Sequence, residues 1–267
     1  MLDAIDLTVS LGGKPVLDRV AFTARPGGIT AIIGPNGSGK TTLLRALTGD
    51  LRQGGRVRLN GQDCAGLKPW RLAALRAVLP QTITLAFPFT LLEVVRMGLS
   101  AGLSAGRDEV ALAALAALDL APKAGRLFQE LSGGEQTRGH LARALAQVWE
   151  PVVDGAPRWL FLDEPVASLD IGHQLQVMEL VADYAARGGG VVAVMHDLNL
   201  SAMFAARIAL MQDGRVLAEG GPGEVLDDAH LSQAYRAGLR VNQTPAAGQV
   251  FILPQSARPA LRAGTAW

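Results

Sequence analysis

Short runs of alternating apolar and polar residues occupy the first part of the chain. Ile5, Leu7 and Val9 alternate with polar neighbours, and glycine and proline clusters interrupt the pattern further on. Alternation with a period of two predicts half-buried β-strands, and Gly and Pro mark the turns between them. Residues 56–59 and 77–81 read as further strands. We therefore expect a strand-rich N-terminal part.

A helical pattern replaces the strands after residue 87. Residues 91–104 and 108–118 have a helix-forming composition, and a later helix places Leu141, Leu145 and Val148 on one apolar stripe. The stripe indicates packing against a core. We expect an inserted helical subdomain of about 60 residues, a size at which a subdomain is plausible.

Near-continuous apolar strands return in the last part of the chain. Residues 159–162 and 191–195 are apolar, and a helical run at 174–186 separates them. Buried strands that alternate with helices are typical of a parallel sheet covered on both faces. The pattern weakens from about residue 232, and the tail from residue 258 carries no signal.

Composition and charge exclude several functional classes. The net charge is +1, from 25 Lys and Arg against 24 Asp and Glu, with no basic block, which disfavours nucleic acid as a partner. No stretch reaches the ~18 apolar residues of a membrane span, and the acidic start differs from a secretory signal. The lone Cys64 cannot form an internal disulfide, in agreement with a reducing compartment. We expect the chain to stay in the cytoplasm.

Residues 34–41 fit the phosphate-binding pattern G-x-x-x-x-G-K-[ST]. They follow an apolar run at 29–33 and precede a helical run at 42–47, the strand-to-helix context that confirms a P-loop. Glycines let the backbone N–H groups turn inward, and the helix dipole adds positive potential there. Lys40 is expected to reach the outer phosphates, and the Thr41 hydroxyl to bind Mg²⁺. The predicted phosphate-binding residues are Gly34, Pro35, Asn36, Gly37, Ser38, Gly39, Lys40, Thr41 and Thr42.

Four polar residues each follow directly after a predicted strand: Gln81, Asp163, Glu164 and His196. Ligands of parallel sheets bind at this carboxyl end of the strands. Asp163 suits Mg²⁺, and Glu164 suits the polarisation of a water that attacks the γ-phosphate. His196 can donate a hydrogen bond to that phosphate or hold the water. Gln81 is either a water-mediated metal ligand or a polar turn residue. Taken alone, the two acids would be interpreted as the cap of the next helix, and His196 as a structural histidine. The preceding strand, the P-loop and Pro165 favour the catalytic interpretation of the acids.

A second anion site is predicted at residues 131–136, which read Leu-Ser-Gly-Gly-Glu-Gln and open a helix. The Ser hydroxyl and the free backbone N–H groups of a helix start suit an anion. By composition alone, this segment is a capped helix and no more.

Together these motifs resemble the ATP-binding cassette family. Residues 34–42 resemble its Walker A loop, Gln81 its Q-loop, residues 160–164 its Walker B segment with the glutamate, and His196 its switch histidine. The D-loop corresponds to Ser168, Leu169 and Asp170. The highly specific signature loop corresponds to Leu131, Ser132, Gly133, Gly134, Glu135 and Gln136. The resemblance extends over about residues 1–235, with the motifs in the family's order.

The resemblance implies an α/β fold: a P-loop NTPase core of the RecA type with an N-terminal antiparallel β subdomain and an inserted α-helical subdomain. We assign the ATPase core to residues 1–87 and 151–231, and the helical signature subdomain to residues 88–150. Residues 232–267 form a C-terminal extension. The expected cofactors are ATP and Mg²⁺, with Thr41, Gln81 and Asp163 around the metal and Glu164 and His196 as catalytic residues.

Cassettes of this family pack head to tail, so that each ATP lies between one Walker A loop and the other subunit's signature loop. One copy of each motif therefore implies a homodimer with two ATP molecules. The resemblance also implies two copies of a transmembrane permease and a peripheral position on the cytoplasmic face of the bacterial inner membrane. A permease helix is expected in the groove flanked by Gln81 and residues 87–90, although these aromatic residues could equally fix a loop.

Four segments of the chain are together similar to bacterial haem importer ATPases. They are residues 79–81, 87–90, 149–157 and 168–174. This narrower resemblance implies a translocase that couples ATP hydrolysis to haem import, with a periplasmic haem-binding protein as an indirect partner. The same role in vitamin B12 or iron-siderophore import is the alternative. A soluble cassette ATPase without a membrane partner is disfavoured, because heptads between the P-loop and the signature loop and a second cassette are both missing.

Leu11 departs from the family pattern. With Val16, it is expected on the adenine side of the nucleotide, where many cassettes have an aromatic residue. Leucine offers dispersion contact but not ring stacking. Selectivity for ATP over GTP therefore follows from the resemblance and not from these residues.

Overall fold

The computed structural model describes residues 1–51, 53–83, 85, 87–102 and 106–256. The end of the helix predicted at 91–104 and the last part of the 232–267 extension lie outside the described residues. Within the described part the chain is mixed α/β, as its apolar pattern predicts.

The strands lie in three sheets. In chain order they are β1 (Leu2–Leu11), β2 (Lys14–Ala24), β3 (Ile29–Ile33), β4 (Gly54–Leu59), β5 (Gln62–Asp63), β6 (Arg76–Leu79), β7 (Val152–Val153), β8 (Ala156–Pro157), β9 (Trp159–Asp163), β10 (Gly190–Val194), β11 (Ala205–Gln212) and β12 (Arg215–Gly220). The shortest sheet is the hairpin of β7 and β8, which lies within the segment at 149–157 that precedes β9.

The helices connect and cover these sheets. They are α1 (Lys40–Thr48), α2 (Pro69–Leu75), α3 (Leu91–Ala101), α4 (Asp108–Ala117), α5 (Gly133–Gln147), α6 (Ile171–Ala186), α7 (Leu198–Phe204), α8 (Pro222–Val225) and α9 (Asp228–Tyr235). None of the helices that the structure describes is both long enough and apolar enough to cross a lipid bilayer.

The N-terminal sheet is antiparallel, with the order β2-β1-β4-β5. Along β1, Leu2, Ala4, Leu7 and Val9 are buried, whereas most of the residues between them are exposed. The spacing changes between Ala4 and Leu7 because the pairing with β2 shifts there. The alternation seen in the sequence therefore turns one face of this sheet toward the core.

The second sheet has the order β12-β11-β3-β10-β9-β6, in which only β12 is antiparallel to its neighbour. The position of β6 refines the sequence prediction, which grouped residues 77–81 with the N-terminal strands. Ala77 pairs with Leu160 and Leu79 with Leu162, so β6 is the edge of the parallel sheet. The sequence of β6 does not show to which sheet the strand belongs. As an edge strand it is only partly buried, so it lacks the continuous apolar run of β9.

Both faces of the parallel sheet are covered, and successive side chains of one strand enter different cores. Leu160 and Leu162 lie in the core shared with the helical subdomain, which contains Leu141. Phe161, between them, lies in the core shared with α1 and the N-terminal sheet, which contains Phe22. All residues of β3, β9 and β10 are buried, which explains their near-continuous apolar runs.

Helices α3, α4 and α5 pack against one another within the segment for which we predicted a helical subdomain. The predicted stripe Leu141, Leu145 and Val148 is buried. A Cβ on Gly98 of α3 would lie 2.0 Å from the backbone oxygen of Arg143 in α5. Glycine therefore allows these two helices to pack closely.

Candidate functional site

The loop between β3 and α1 curls toward the N-terminus of the helix. Its glycines Gly34, Gly37 and Gly39 have φ angles of 142°, 78° and 102°, which side chains rarely allow. A Cβ on Gly34 would lie 2.3 Å from the backbone oxygen of Met211. The loop conformation therefore requires glycine both for its backbone angles and for its close approach to β11.

The turn between β11 and β12 supports this loop from outside. The N–H of Gly214 donates to the backbone oxygen of Ser38 at 3.0 Å, and the oxygen of Gly214 accepts from the N–H of Asp18 at 3.1 Å. Asp18 also pairs with Arg215. No sequence pattern indicates this support, because Asp213 and Gly214 give only an ordinary turn signal.

Lys40, the first residue of α1, folds its ammonium group back onto the loop. Its Nζ donates to the backbone oxygens of Gly34 at 2.9 Å and Pro35 at 3.0 Å. Burial lowers the pKa of Lys40, and the nearby carboxylates of Glu164 and Asp163 oppose this shift. Phosphate oxygens could replace these two carbonyl groups as hydrogen-bond partners of the ammonium group. The bond would be strong, because both partners would carry charge.

Thr41 and Asp163 bring two oxygen groups together across the end of β9. The Thr41 hydroxyl donates to Asp163 Oδ1 at 3.2 Å. Burial raises the pKa of Asp163, while the Thr41 hydrogen bond lowers it. Gln81 lines a cavity together with both residues. Hydroxyl, carboxylate and amide oxygens are ligands that suit Mg²⁺, and a divalent cation would offset the cost of burying the carboxylate.

Glu164 and His196 meet at the ends of β9 and β10. His196 Nε2 lies 2.5 Å from Glu164 Oε1. The backbone of Glu164 is left-handed, with φ 54°, and its N–H donates to the oxygen of Val194 at 3.1 Å. Positive φ in a residue with a long side chain is strained and is typical of functional sites. Glu164 lines the cleft described below, and a carboxylate in such a position is able to accept a proton.

These residues surround one cleft of about 560 Å³, lined by Val16, Asn36, Gly37, Gly39, Lys40, Thr41, Thr42, Gln81, Glu164 and His196. Its volume lies in the range of small-molecule sites. The structure therefore brings together P-loop residues and the polar residues that follow three other strands. Val16 lines the cleft, but Leu11 does not; it lies at the end of β1 with 45% of its surface exposed.

The loop at residues 131–136 starts α5 and lies elsewhere in the subunit. The Ser132 hydroxyl accepts from the N–H of Glu135 at 3.4 Å, and the Glu135 carboxylate accepts from the N–H of Ser132 at 3.0 Å. Lys123, through its hydrogen bond, is the main cause that lowers the pKa of Glu135 to about 2. Gly133 faces open space. None of these six loop residues lines the cleft, so a single subunit does not join the two predicted anion sites.

Residues 168–170 lead from β9 into α6. Asp170 caps that helix by accepting from the N–H of His173 at 2.9 Å. Leu169 is buried, and the Ser168 hydroxyl lies 2.8 Å from that of Thr137. Thr137 was not among the predicted residues, since no local pattern pairs it with a residue 31 positions away.

Comparisons with known proteins agree with this geometry. A family model described as ABC transporter matches residues 17–167. The hemin import ATP-binding protein HmuV of Roseobacter denitrificans is 60% identical over 256 residues, which cover 96% of this chain and 98% of that protein. The protein of the same name from Jannaschia sp. is 57% identical, with coverage of 97% and 96%.

Solved structures share the fold. The ADP-bound ATP-binding cassette MJ1267 is 27% identical with a TM-score of 0.74, over 88% of this chain and 98% of that one. The bacterial cassette MJ0796, solved as a dimer, is 27% identical with a TM-score of 0.72, over 83% and 99%. These likenesses confirm the predicted P-loop NTPase fold.

Proposed function

Because this chain belongs to the ABC transporter family, we propose that it is the ATP-hydrolysing subunit of an importer that takes up haem through a separate membrane permease. The observation that carries the proposal is 57–60% identity, over nearly the full length, to proteins named for hemin import. The cleft supplies the residue types that ATP hydrolysis needs. The chain is therefore an enzyme, an ATPase of the translocase type.

In the proposed ATPase site, Lys40 leaves the carbonyl groups of its own loop and binds the outer phosphates. Thr41 and Asp163 would hold Mg²⁺, and Gln81 would contribute to its binding through water. When bound, Mg²⁺ neutralises charge on the phosphate oxygens. Glu164 polarises the attacking water as a general base.

His196 completes the proposed site by donating from Nε2 to the γ-phosphate or to the attacking water. In the structure the same nitrogen lies 2.5 Å from Oε1 of Glu164. ATP binding would therefore separate the two side chains and free the carboxylate for the water. The 42% exposure of the His196 side chain leaves room for this movement.

We propose that two copies of the chain bind two ATP molecules in a head-to-tail dimer. The separation of residues 131–136 from the cleft within one subunit supports this arrangement, since a second subunit would have to supply the loop. The free N–H groups at the start of α5 would then contact the partner's nucleotide. The dimeric cassette MJ0796 is a precedent within the family.

Two permease copies are the proposed membrane partners. A groove of about 460 Å³ between the core and the helical subdomain suits a helix of the permease; it is lined by Gly49, Asp50, Pro69, Leu72, Ala73, Arg76, Val78, Pro80, Arg143 and Gln147. Its lining does not include the predicted flanking residues, Gln81 and 87–90, but it shares Asp50, Val78 and Pro80 with the cavity that reaches Gln81. A docked helix would thus lie next to the metal-binding end of the ATP site.

The proposed location is the cytoplasmic face of the bacterial inner membrane, with the chain as a peripheral subunit. A periplasmic haem-binding protein would act through the permease without touching this chain. The near-zero net charge supports a complex with protein partners and not with nucleic acid.

Growth with haem as the only iron source tests the proposal. A strain lacking this chain, and any second haem importer, should grow only when complemented with the wild-type gene. Lys40→Ala should fail, while Lys68→Ala, at an exposed lysine outside the cleft, should restore growth. Normal growth of the deletion strain would overturn the haem assignment and direct the same test to iron-siderophores and vitamin B12.

A further inference from the structure

Two hydroxyl groups join the start of α5 to the segment that follows β9. Thr137 Oγ1 and Ser168 Oγ lie 2.8 Å apart. The Thr137 hydroxyl also donates to the backbone oxygen of Gly133 at 3.0 Å. Since a hydroxyl has a single proton, Thr137 must accept in the other bond, and Ser168 donates to it.

Close packing reinforces this bond on the same side of the helix. A Cβ on Gly134 would lie 3.3 Å from a methyl carbon of Leu169 and 3.4 Å from the backbone oxygen of Ser168. The start of α5 therefore fits closely against residues 168 and 169. Larger residues at position 134 would push the two segments apart.

The segment after β9 is firmly held on its other side. Leu169 is 8% exposed, and Gln174 Nε2 donates to the backbone oxygens of Leu169 at 3.1 Å and Val166 at 3.3 Å. The N–H of Ala167 donates to the oxygen of Glu164 at 3.3 Å. These bonds connect Ser168 to the strained backbone of Glu164 through a turn of a few residues.

We propose that Thr137 and Ser168 are positioning residues that make the signature loop and the D-loop of one subunit move together. The inference rests on the proposed head-to-tail dimer. In that dimer the start of α5 senses the partner's ATP, and Glu164 acts on the subunit's own ATP. The Thr137–Ser168 bond would therefore couple hydrolysis at the two sites.

An exposed bond between two neutral hydroxyl groups suits this role because it can break and re-form as the dimer opens and closes. A buried or charged contact would hold the two segments in one arrangement. The coupling is expected to be reversible and to affect turnover more than nucleotide binding, since neither hydroxyl lines the cleft.

The test measures ATP hydrolysis against ATP concentration in the complete transporter. For wild type we expect a Hill coefficient near 2, because two coupled sites set this upper limit. Ser168→Ala and Thr137→Val should each lower it to about 1 and reduce kcat several-fold, with the same ATP affinity. Thr137→Ser retains the hydroxyl and should retain cooperativity. Ser100→Ala removes an exposed serine hydroxyl that bonds within α3, and it serves as the matched control.

A double variant separates coupling from independent damage. Ser168→Ala combined with Thr137→Val should be no worse than either single variant, since all three lack the same bond. Additive losses, or wild-type cooperativity in both single variants, would overturn the coupling role while leaving the ATPase function intact. If the wild-type transporter does not hydrolyse ATP, the proposed function itself is wrong. Equal melting temperatures would show that the variants fold normally.

Discussion

His196 Nε2 lies 2.5 Å from Glu164 Oε1, although 32 positions separate the two residues in the chain. The contact joins the ends of two adjacent parallel strands, β9 and β10, and faces the cleft that Lys40 enters from the other side. The proposed base and the proposed phosphate-binding histidine are thus in direct contact with each other. ATP has to compete with this pair before the base can act on water.

Glu164→Gln should abolish ATP hydrolysis and trap an ATP-bound dimer. The amide keeps the shape of the side chain but cannot take a proton, so kcat should decrease by about 10²-fold or more. Phosphate release measures hydrolysis, and size-exclusion chromatography with ATP measures the dimer. Glu179→Gln, at an exposed glutamate on α6, is the control for removing one negative charge. Wild-type turnover in Glu164→Gln would exclude Glu164 as the base.

Gly34→Ala should disrupt the P-loop. The new methyl group would meet the backbone oxygen of Met211 at 2.3 Å, and φ 142° is unfavourable for alanine. Strain and overpacking together should cost about 3 kcal/mol or more of unfolding free energy, with loss of ATP binding.

Gly12→Ala is the matched control for this prediction. Gly12 also has a positive φ, 56°, but a Cβ there would meet nothing within 4 Å. The cost should be about 1–2 kcal/mol, with ATP affinity unchanged. Urea denaturation and nucleotide titration check both variants, and equal ATP affinity in the two would contradict the role of the Met211 contact.

Leu72→Asp should weaken assembly with the permease. Leu72 lines the groove between the core and the helical subdomain, and a carboxylate there would remain desolvated beneath a docked helix. Co-purification with the permease measures assembly, and ATP binding by the isolated subunit should be unchanged. Leu112→Asp, at a leucine of α4 that is 47% exposed, should assemble normally. Normal assembly of Leu72→Asp would place the permease elsewhere.

His140 should make stability dependent on pH. Burial is the main cause that lowers its pKa from 6.5 to about 4, with Arg143 adding to the effect, and its ring contacts Phe128 at 4.6 Å between centroids. Between these two pH values the unfolded chain binds a proton that the folded chain does not. The stabilisation is therefore complete above pH 6.5 and decreases as the pH falls toward 4.

The expected loss between pH 7 and pH 5 is about 2 kcal/mol of unfolding free energy. Urea denaturation at both values measures it. His140→Leu and His140→Gln cannot take up this proton, so both should lose less stability than the wild type over the same interval. A variant with an undiminished loss would show that another group causes the pH dependence.

Local pattern and chemistry determined most of the candidate residues. The P-loop is defined by eight consecutive residues, because its glycines, lysine and threonine act through one short stretch of backbone. The buried strands β9 and β10 are evident from their apolar runs, since a strand covered on both faces has no polar side. The polar residue that follows such a strand is expected near a ligand, and Asp163 and Glu164 lie beside the cleft or line it.

Tertiary structure alone decided which of these residues meet. It placed β6 next to β9, left Leu11 exposed at the end of β1, and left residues 131–136 out of the lining of the cleft. It also paired Thr137 with Ser168 and supported the P-loop with Met211 and Gly214. Sequence patterns report the environment of each side chain along one element. Contacts between distant elements depend instead on strand order and on the packing of helices across the sheet, which no local pattern records.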